Sequence, residues 1–409
     1  MGSAYSMKRL SKTNSRGPIY LDYQSTTPTD PMVIESMLPF FSKRFGNPHS
    51  NSHSFGWAAQ DAIEVARRKI ASLIGADSKE IIFTSGATES NNLAIQGLVG
   101  NSKKGKHIVT TKVEHKCVLE ACRKLERNDA RVTYLEVTES GELEIDTFIK
   151  ALEEDTFLVS VMGVNNETGV IQPLEEIGAI CREKGIYFHS DCAQAIGKIP
   201  IDVEQMKIDL MSISGHKFYA PMGIGALYVR RRPRVFLKAI FEGGGQEFGL
   251  RSGTLPLPLC VGLGEAAYLS AKEMTSEAVR LKSFQETFLS YLRKEIPKIR
   301  VNGSLKNRIP GNLNLCLPDI NAEVFLAQLR GLAISTGSAC SSASIEPSYV
   351  LKAMGMSDID IRASVRIGFG RFTSMEEVKR SASILCQGIH KQLANVNHRT
   401  SMKEVAHHA

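Results

Sequence analysis

Between about residue 57 and residue 229 the chain alternates amphipathic helical stretches with short apolar runs, and this alternation limits its fold more than any other feature. Residues 57–74 place Trp57, Ile63, Ala66, Ile70, Leu73 and Ile74 near a 3.6-residue period that Gly75 ends, the pattern of an amphipathic helix. EIIFT (80–84) reads as a buried strand, with a helix following from about Thr88. HIVTT (107–111), FLVSVMGV (157–164), IYFHS (186–190), LMSIS (210–214) and GALYV (225–229) read as further strands, with a helical stretch around 173–184. Strands this uniformly apolar are covered on both faces, so the expected class is α/β with a mostly parallel sheet. Past about 270 a long charged amphipathic helix (265–296) gives way to short strands and helices, the pattern of a second, α+β domain.

Composition agrees with a folded two-domain chain and excludes several functions. The 409 residues are 43% hydrophobic and 23% charged, and no apolar run approaches the roughly 18 residues of a membrane span. Eight cysteines without a CxxC pair make neither a disulfide framework nor a zinc ribbon. With no secretory apolar segment at the start, they are expected as free thiols in a reducing compartment. The net charge is +7, but Lys8, Arg9, Lys12 and Arg16 carry four of those charges within residues 1–21. A body this close to neutral is no nucleic-acid footprint. Arg230, Arg231, Arg232 and Arg234 are expected as a solvated strand end rather than a docking patch. The Ser-rich basic start reads as a flexible arm, ahead of a short organellar-targeting remnant and, last, an acylation signal at Gly2. Because the arm is short and weakly amphipathic, the cytoplasm is expected over the mitochondrial matrix.

Functional groups in open α/β sheets gather at the carboxyl ends of strands. TSGATESNN (84–92) follows a strand and opens a helix, where small residues and free N–H groups form a cradle for an anion and Thr88 adds a hydroxyl. A plain capping turn uses the same residues, so other strand ends must corroborate it. FHSDCAQ sets Asp191 at one strand end, with Gln194 three residues on, and SISGHK sets Ser214, His216 and Lys217 beyond another. A lysine in such a turn is a usable amine nucleophile. Lysine and carboxylate together suit pyridoxal 5'-phosphate, which takes a Schiff-base lysine and an acidic partner for its pyridine nitrogen. Its phosphate would fall to Thr88, Ser214 and His216, and His115 could stack on its ring and relay protons. In STGSACSSAS (335–344), Cys340 lies among small hydroxyl residues with no bulky neighbour, an accessible setting for a sulfur nucleophile. Arg366 and Arg371 in SVRIGFGR are candidate carboxylate clamps, and strand position favours Arg366.

TSGATESNN, EHKCV, VNNETGV, HSDCAQ, SISGHKFY, RSGT and STGSACSSASIEPSYVL occur in one order over roughly residues 18–390, where a chance match would be confined to single motifs. In them the chain resembles the class I cysteine desulfurases of the iron–sulfur-cluster assembly type, which are fold type I pyridoxal-phosphate enzymes. The resemblance implies a homodimer whose active sites lie at the subunit interface. Its reaction is removal of sulfur from L-cysteine to give L-alanine and a persulfide on the loop cysteine, passed on to acceptor proteins for iron–sulfur clusters and tRNA thiolation. Carried over by position, it makes Lys217 the Schiff-base lysine, Asp191 the partner of the pyridine nitrogen and Gln194 the partner of the ring oxygen. His115 stacks on the ring. Ala87, Thr88, Ser214 and His216 hold the phosphate, with Thr254 from the other subunit. Asn166 and Arg366 take the substrate carboxylate, and Cys340 attacks the substrate sulfur. No metal is implied. The division implied is a basic arm over 1–17, a cofactor-binding large domain over 28–270, a small domain from 18–27 and 271–395, and a tail over 396–409.

The chain also departs from the family pattern. Cys192 replaces the first alanine of DAAQ, Ala220 and Met222 alter the YGPKG loop, and Phe248 stands where arginine is usual. The ending HRTSMKEVAHHA lacks the usual aromatic and acidic tail, which weakens the expectation of docking to a scaffold protein. A selenocysteine lyase, an aminotransferase or an idle scaffold subunit are the alternatives, and the last is disfavoured by intact Lys217, Asp191 and Cys340.

Overall fold

The computed structural model describes residues 17–98, 105–317, 319–337 and 347–407. Strand β1 (Ile19–Tyr20) precedes β2 (Ile81–Thr84), β3 (His107–Thr111), β4 (Arg131–Leu135), β5 (Thr156–Ser160), β6 (Tyr187–Asp191), β7 (Leu210–Ser214) and β8 (Gly225–Val229). Strands β2 to β8 form one seven-stranded sheet in the order β2-β8-β7-β6-β5-β3-β4. Every neighbouring pair from β7 to β4 is parallel, whereas β8 runs antiparallel to both β7 and β2.

Burial on both faces follows directly from the two-residue period of a strand. Ile82, Ile108, Leu158, Leu210 and Leu227 enter one apolar cluster with the helices Ala87–Leu98 and Lys116–Glu126. Their neighbours Phe83, Val109, Val159, Met211 and Ala226 enter another, with the helix Ser54–Leu73 and the first half of the helix Leu257–Glu295. The two latter helices touch closely because residue 264 is glycine: a Cβ there would lie 2.5 Å from the Ala66 Cα. Strand β4 lies at the sheet edge, and its half-exposed RVTYL pattern had not marked it as a strand. The apolar run 157–164 ends as a strand at Ser160. There the backbone closes on the next segment, and a Cβ on Gly163 would lie 3.1 Å from the Cys192 Sγ.

A second core gathers Leu21, Phe284, Phe288, Leu313, Leu315, Val365, Ile367 and Leu385. Strands β9 (Arg300–Val301), β10 (Asn312–Cys316), β11 (Leu332–Ala333) and β12 (Ser364–Gly368) belong to it. Strands β12, β10 and β9 form an antiparallel sheet, and β1 pairs in parallel with β11, so the start of the described chain joins its C-terminal part. The helix Leu257–Glu295 serves both cores, burying Leu263 and Ala267 in the first and Phe284, Phe288 and Leu292 in the second. It therefore runs unbroken through the 270/271 boundary. Its first turns are apolar on several sides, which conceals the helical period in the sequence. The last helix, Met375–His407, extends through most of the segment expected as a tail; no proline interrupts it. Arg230 is buried rather than solvated, 2.6 Å from Asp209, because β8 ends beside β7 inside the sheet.

One buried carboxyl group gives the large core a pH dependence. Glu114, just past β3, accepts hydrogen bonds from the Met162 N–H (2.8 Å) and the Thr111 hydroxyl (3.0 Å), while its Oε2 is buried without a hydrogen bond. Burial pushes its pKa from 4.5 up to about 8. Between those values the folded chain keeps a proton that the unfolded chain releases, so stability falls as pH rises, with a slope of up to about 1.4 kcal/mol per pH unit from this group. Denaturant titrations across that range should show Glu114→Gln with a flatter profile; an unchanged slope would exclude Glu114 as its source.

Candidate active site at the strand ends

A cavity of about 400 Å³ opens where the carboxyl ends of β2, β3, β5, β6 and β7 converge, and Arg366 of β12 reaches it from the second core. Ala87, Thr88, His115, Asn166, Asp191, Gln194, Ser214, His216, Lys217 and Arg366 all line it. Thr254 is exposed and does not line this cavity of its own chain. Cys340 lies outside the described residues.

The turn after β2 is shaped by glycine. Gly86 has φ +150°, and a Cβ on Gly225, the first residue of β8, would lie 2.6 Å from the Gly86 Cα. That close approach sets the start of the helix Ala87–Leu98 beside Ser214, with free N–H groups, the Thr88 hydroxyl and the Ser214 hydroxyl on one cavity. His216 Nδ1 lies 3.0 Å from the Thr26 hydroxyl, and burial, then the Lys217 and Lys198 cations, push the His216 pKa down to about 4. At neutral pH His216 therefore contributes hydrogen bonds and no charge.

Asp191 closes β6 and is buried. Its carboxyl accepts from the Asn91 side chain at 2.7 Å and from the Ala193 N–H at 2.9 Å. Asn91, fully buried three residues beyond Thr88, was missed in the sequence; its helical spacing from Thr88 was the available signal. Lys217 Nζ donates to the carbonyl oxygens of Gln24 (2.9 Å) and Ser25 (2.7 Å), two further cavity residues that nothing in the sequence marked. His115 caps the helix Lys116–Glu126: its Nδ1 accepts from the Cys117 N–H at 3.3 Å, an assignment that puts the proton of the neutral ring on Nε2.

Arg366 is 3% exposed, held by Asp22 (2.8 Å) and the Asn166 carbonyl oxygen (2.8 Å), while its Nε is buried without a hydrogen-bond partner. A buried donor left over on a fixed guanidinium suits a ligand carboxylate. Arg371, the less favoured candidate clamp, sits between Asp30 (3.0 Å) and Glu277 (2.9 Å) over the Tyr219 ring. Residues on either side of 338–346 are tied to the same place. The Gly337 carbonyl oxygen is 3.5 Å from Arg366 Nη1, and the Ser348 hydroxyl donates to Glu167 at 2.6 Å. Gly337, Ser348, His115 and Asn166 share a second, wider cavity of about 860 Å³. Of the departures, Cys192 is buried, with burial pushing its thiol to about 12, and Ala220 is core. Met222 and Phe248 are exposed. The one grouping with metal-ligand spacing among the described residues, His107, Glu153 and Asp155, lies at the opposite end of β3, with both acids paired to Arg131.

Residues 19–380 match the family described as Aminotransferase class-V. The cysteine desulfurase IscS of Rickettsia africae is 54% identical over 375 residues, 91% of this chain and 92% of its own. The cysteine desulfurase IscS of Ehrlichia chaffeensis is 54% identical over 376 residues, with the same shares. Among solved structures, a NifS-like protein superposes with a TM-score of 0.84 at 33% identity, covering 92% of this chain and 99% of that one. A structure of SspA in complex with cysteine gives 0.76 at 40% identity, covering 86% and 98%. With its sheet, its strand-end cavity and these relatives taken together, the chain belongs to the class-V aminotransferase family, among the cysteine desulfurases.

Proposed function

We infer that the chain takes sulfur from L-cysteine with pyridoxal 5'-phosphate held on Lys217, releases L-alanine and carries the sulfur as a persulfide on Cys340 for iron–sulfur cluster assembly. The observation that carries this reading is the convergence of Lys217, Asp191, Gln194 and the Thr88 turn on one cavity, with an arginine from the second core at its edge.

The groups present fit the cofactor. Thr88, Ala87, Ser214 and neutral His216 would hold a phosphate at the helix start, and Asp191, fixed by two donors, would keep the pyridine nitrogen protonated. Gln194 would meet the ring oxygen and His115 the ring face. Bound there, the cofactor supplies a conjugated ring that withdraws electrons from the α-carbon of the amino acid. Lys217 Nζ, steered by two carbonyl oxygens, would take the proton from that carbon and hold it on the amine for delivery elsewhere than the carbon it left. Arg366 and Asn166 fix the substrate carboxylate and so the direction of its thiol. The Cys340 thiolate attacks the substrate sulfur: the carbon–sulfur bond breaks, a sulfur–sulfur bond forms, and L-cysteine plus one protein thiol become L-alanine plus one persulfide.

The exposed rings of Phe41, Phe45, Phe55 and Trp57, with Phe45 packed on Phe55, support a homodimer, and Thr254, outside its own cavity, would complete the partner's phosphate site. Sulfur-acceptor proteins such as an iron–sulfur scaffold are the onward partners. No described helix is long and apolar enough to cross a membrane, in keeping with a cytoplasmic site of action.

Lys217→Ala should lose the visible absorption band and alanine formation together. Cys340→Ser should keep the band and bind cysteine, yet show no persulfide by mass spectrometry and lose more than about a hundredfold in alanine release; full turnover in that variant would remove the thiol from the reaction. Asn91→Ala, which strips one donor from Asp191, should weaken cofactor binding by roughly tenfold or more, measured by fluorescence titration; unchanged affinity would contradict its supporting role.

A further inference from the structure

The Gln194 amide is held at both ends. Its Nε2 donates to the carbonyl oxygen of Gln24 at 2.8 Å, and its Oε1 accepts from Lys198 Nζ at 2.7 Å. A reversed amide would set oxygen against oxygen and nitrogen against an amine, so the two neighbours fix its direction. One N–H of the amide is left over for a ligand in the cavity that Gln194 lines.

Lys198 is an unusual choice for such a support. It follows β6 on a segment anchored by Ala195 and Ile196 in the core, and it is only partly exposed. The charged groups facing it are Lys217, Arg366 and Glu277, and no carboxylate among the described residues pairs with it at contact distance. Burial and the two cations push its pKa down to about 7. Placing a lysine between two other cations costs stability, and it serves here as a donor that neither protonation state loses. None of the roles given above to the cavity residues uses it.

We propose that Lys198 is a positioning residue that holds the Gln194 amide with its spare N–H toward the ring oxygen of pyridoxal phosphate. This rests on the cofactor reading above and adds to it a residue that touches neither cofactor nor substrate. The ring oxygen carries more negative charge once the neighbouring nitrogen has lost its proton, so a donated hydrogen bond lowers the pH at which the visible band changes, and losing it raises that pH.

The test is a spectroscopic pH titration of the cofactor-loaded chain without substrate. Lys198→Met should move the midpoint upward by about half to one pH unit and weaken cofactor binding about two- to tenfold, the effect of one hydrogen bond. Lys198→Arg, which keeps a donor, should restore most of both. Gln194→Ala should shift the midpoint in the same direction, and adding Lys198→Met to it should do little more. If the methionine variant misfolds by circular dichroism, Lys198→Ala takes its place. An unmoved midpoint in Lys198→Met, or a full additional shift in the Gln194→Ala background, would overturn the proposal while the cofactor reading stands. A chain that gives no band with pyridoxal phosphate would overturn both.

Discussion

Lys217 rests on two backbone carbonyl oxygens, those of Gln24 and Ser25, and the strap that carries them organises the rest of the molecule. Residues 19–21 belong to the smaller core through β1 and its pairing with β11. Residues 26–30 are bound to the turn after β7. The Thr27 N–H donates to the His216 carbonyl oxygen, the Thr27 hydroxyl accepts from the Tyr219 N–H, and the Asp30 N–H donates to the Tyr219 carbonyl oxygen. Between these anchors, Asp22 holds Arg366 and Gln24 holds Gln194. A shift of the smaller core would therefore move the groups around the lysine and the arginine at the same time, which couples the position of the guanidinium to that of the amine.

The polar contacts around this strap are buried, and their energetic character follows from that. Arg366 is met by the Asp22 carboxylate and the Asn166 carbonyl oxygen, and Arg371 by the carboxylates of Asp30 and Glu277. Such pairs add little net stability compared with apolar packing, yet removing one partner costs about 3–5 kcal/mol because the other charge is left stranded. Their value lies in geometry. A cavity built from such contacts keeps its shape before any ligand arrives, and pre-organised groups need no rearrangement at the moment of reaction. The two large apolar cores supply the stability that makes this polar seam affordable.

Much of the fold was legible because buried strands write themselves as apolar runs. EIIFT, HIVTT, LMSIS and GALYV became strands of one sheet, and the polar residues that punctuate them line one cavity. Less legible was anything that depends on a partner far along the chain. The direction of β8 follows from its antiparallel return beside β7, which composition does not record. Arg230 looked like a surface cation and Arg371 like a ligand clamp because their partners, Asp209, Asp30 and Glu277, come from other elements. Gln24 and Ser25 act through their backbone, which carries no side-chain signature, and Asn91 acts behind Asp191 from the helix that begins with Thr88. Family resemblance pointed to the residues that line the cavity more readily than to those that hold them.

The central claim is that the nitrogen of Lys217, and no other amine in the cavity, bonds the cofactor. Borohydride reduction of the loaded chain followed by peptide mass spectrometry tests it most directly, because reduction fixes the cofactor to whichever amine holds it. The account predicts a pyridoxyl-phosphate adduct confined to the peptide that contains Lys217. An adduct on Lys198, or a reduced protein with no adduct at all, would contradict it.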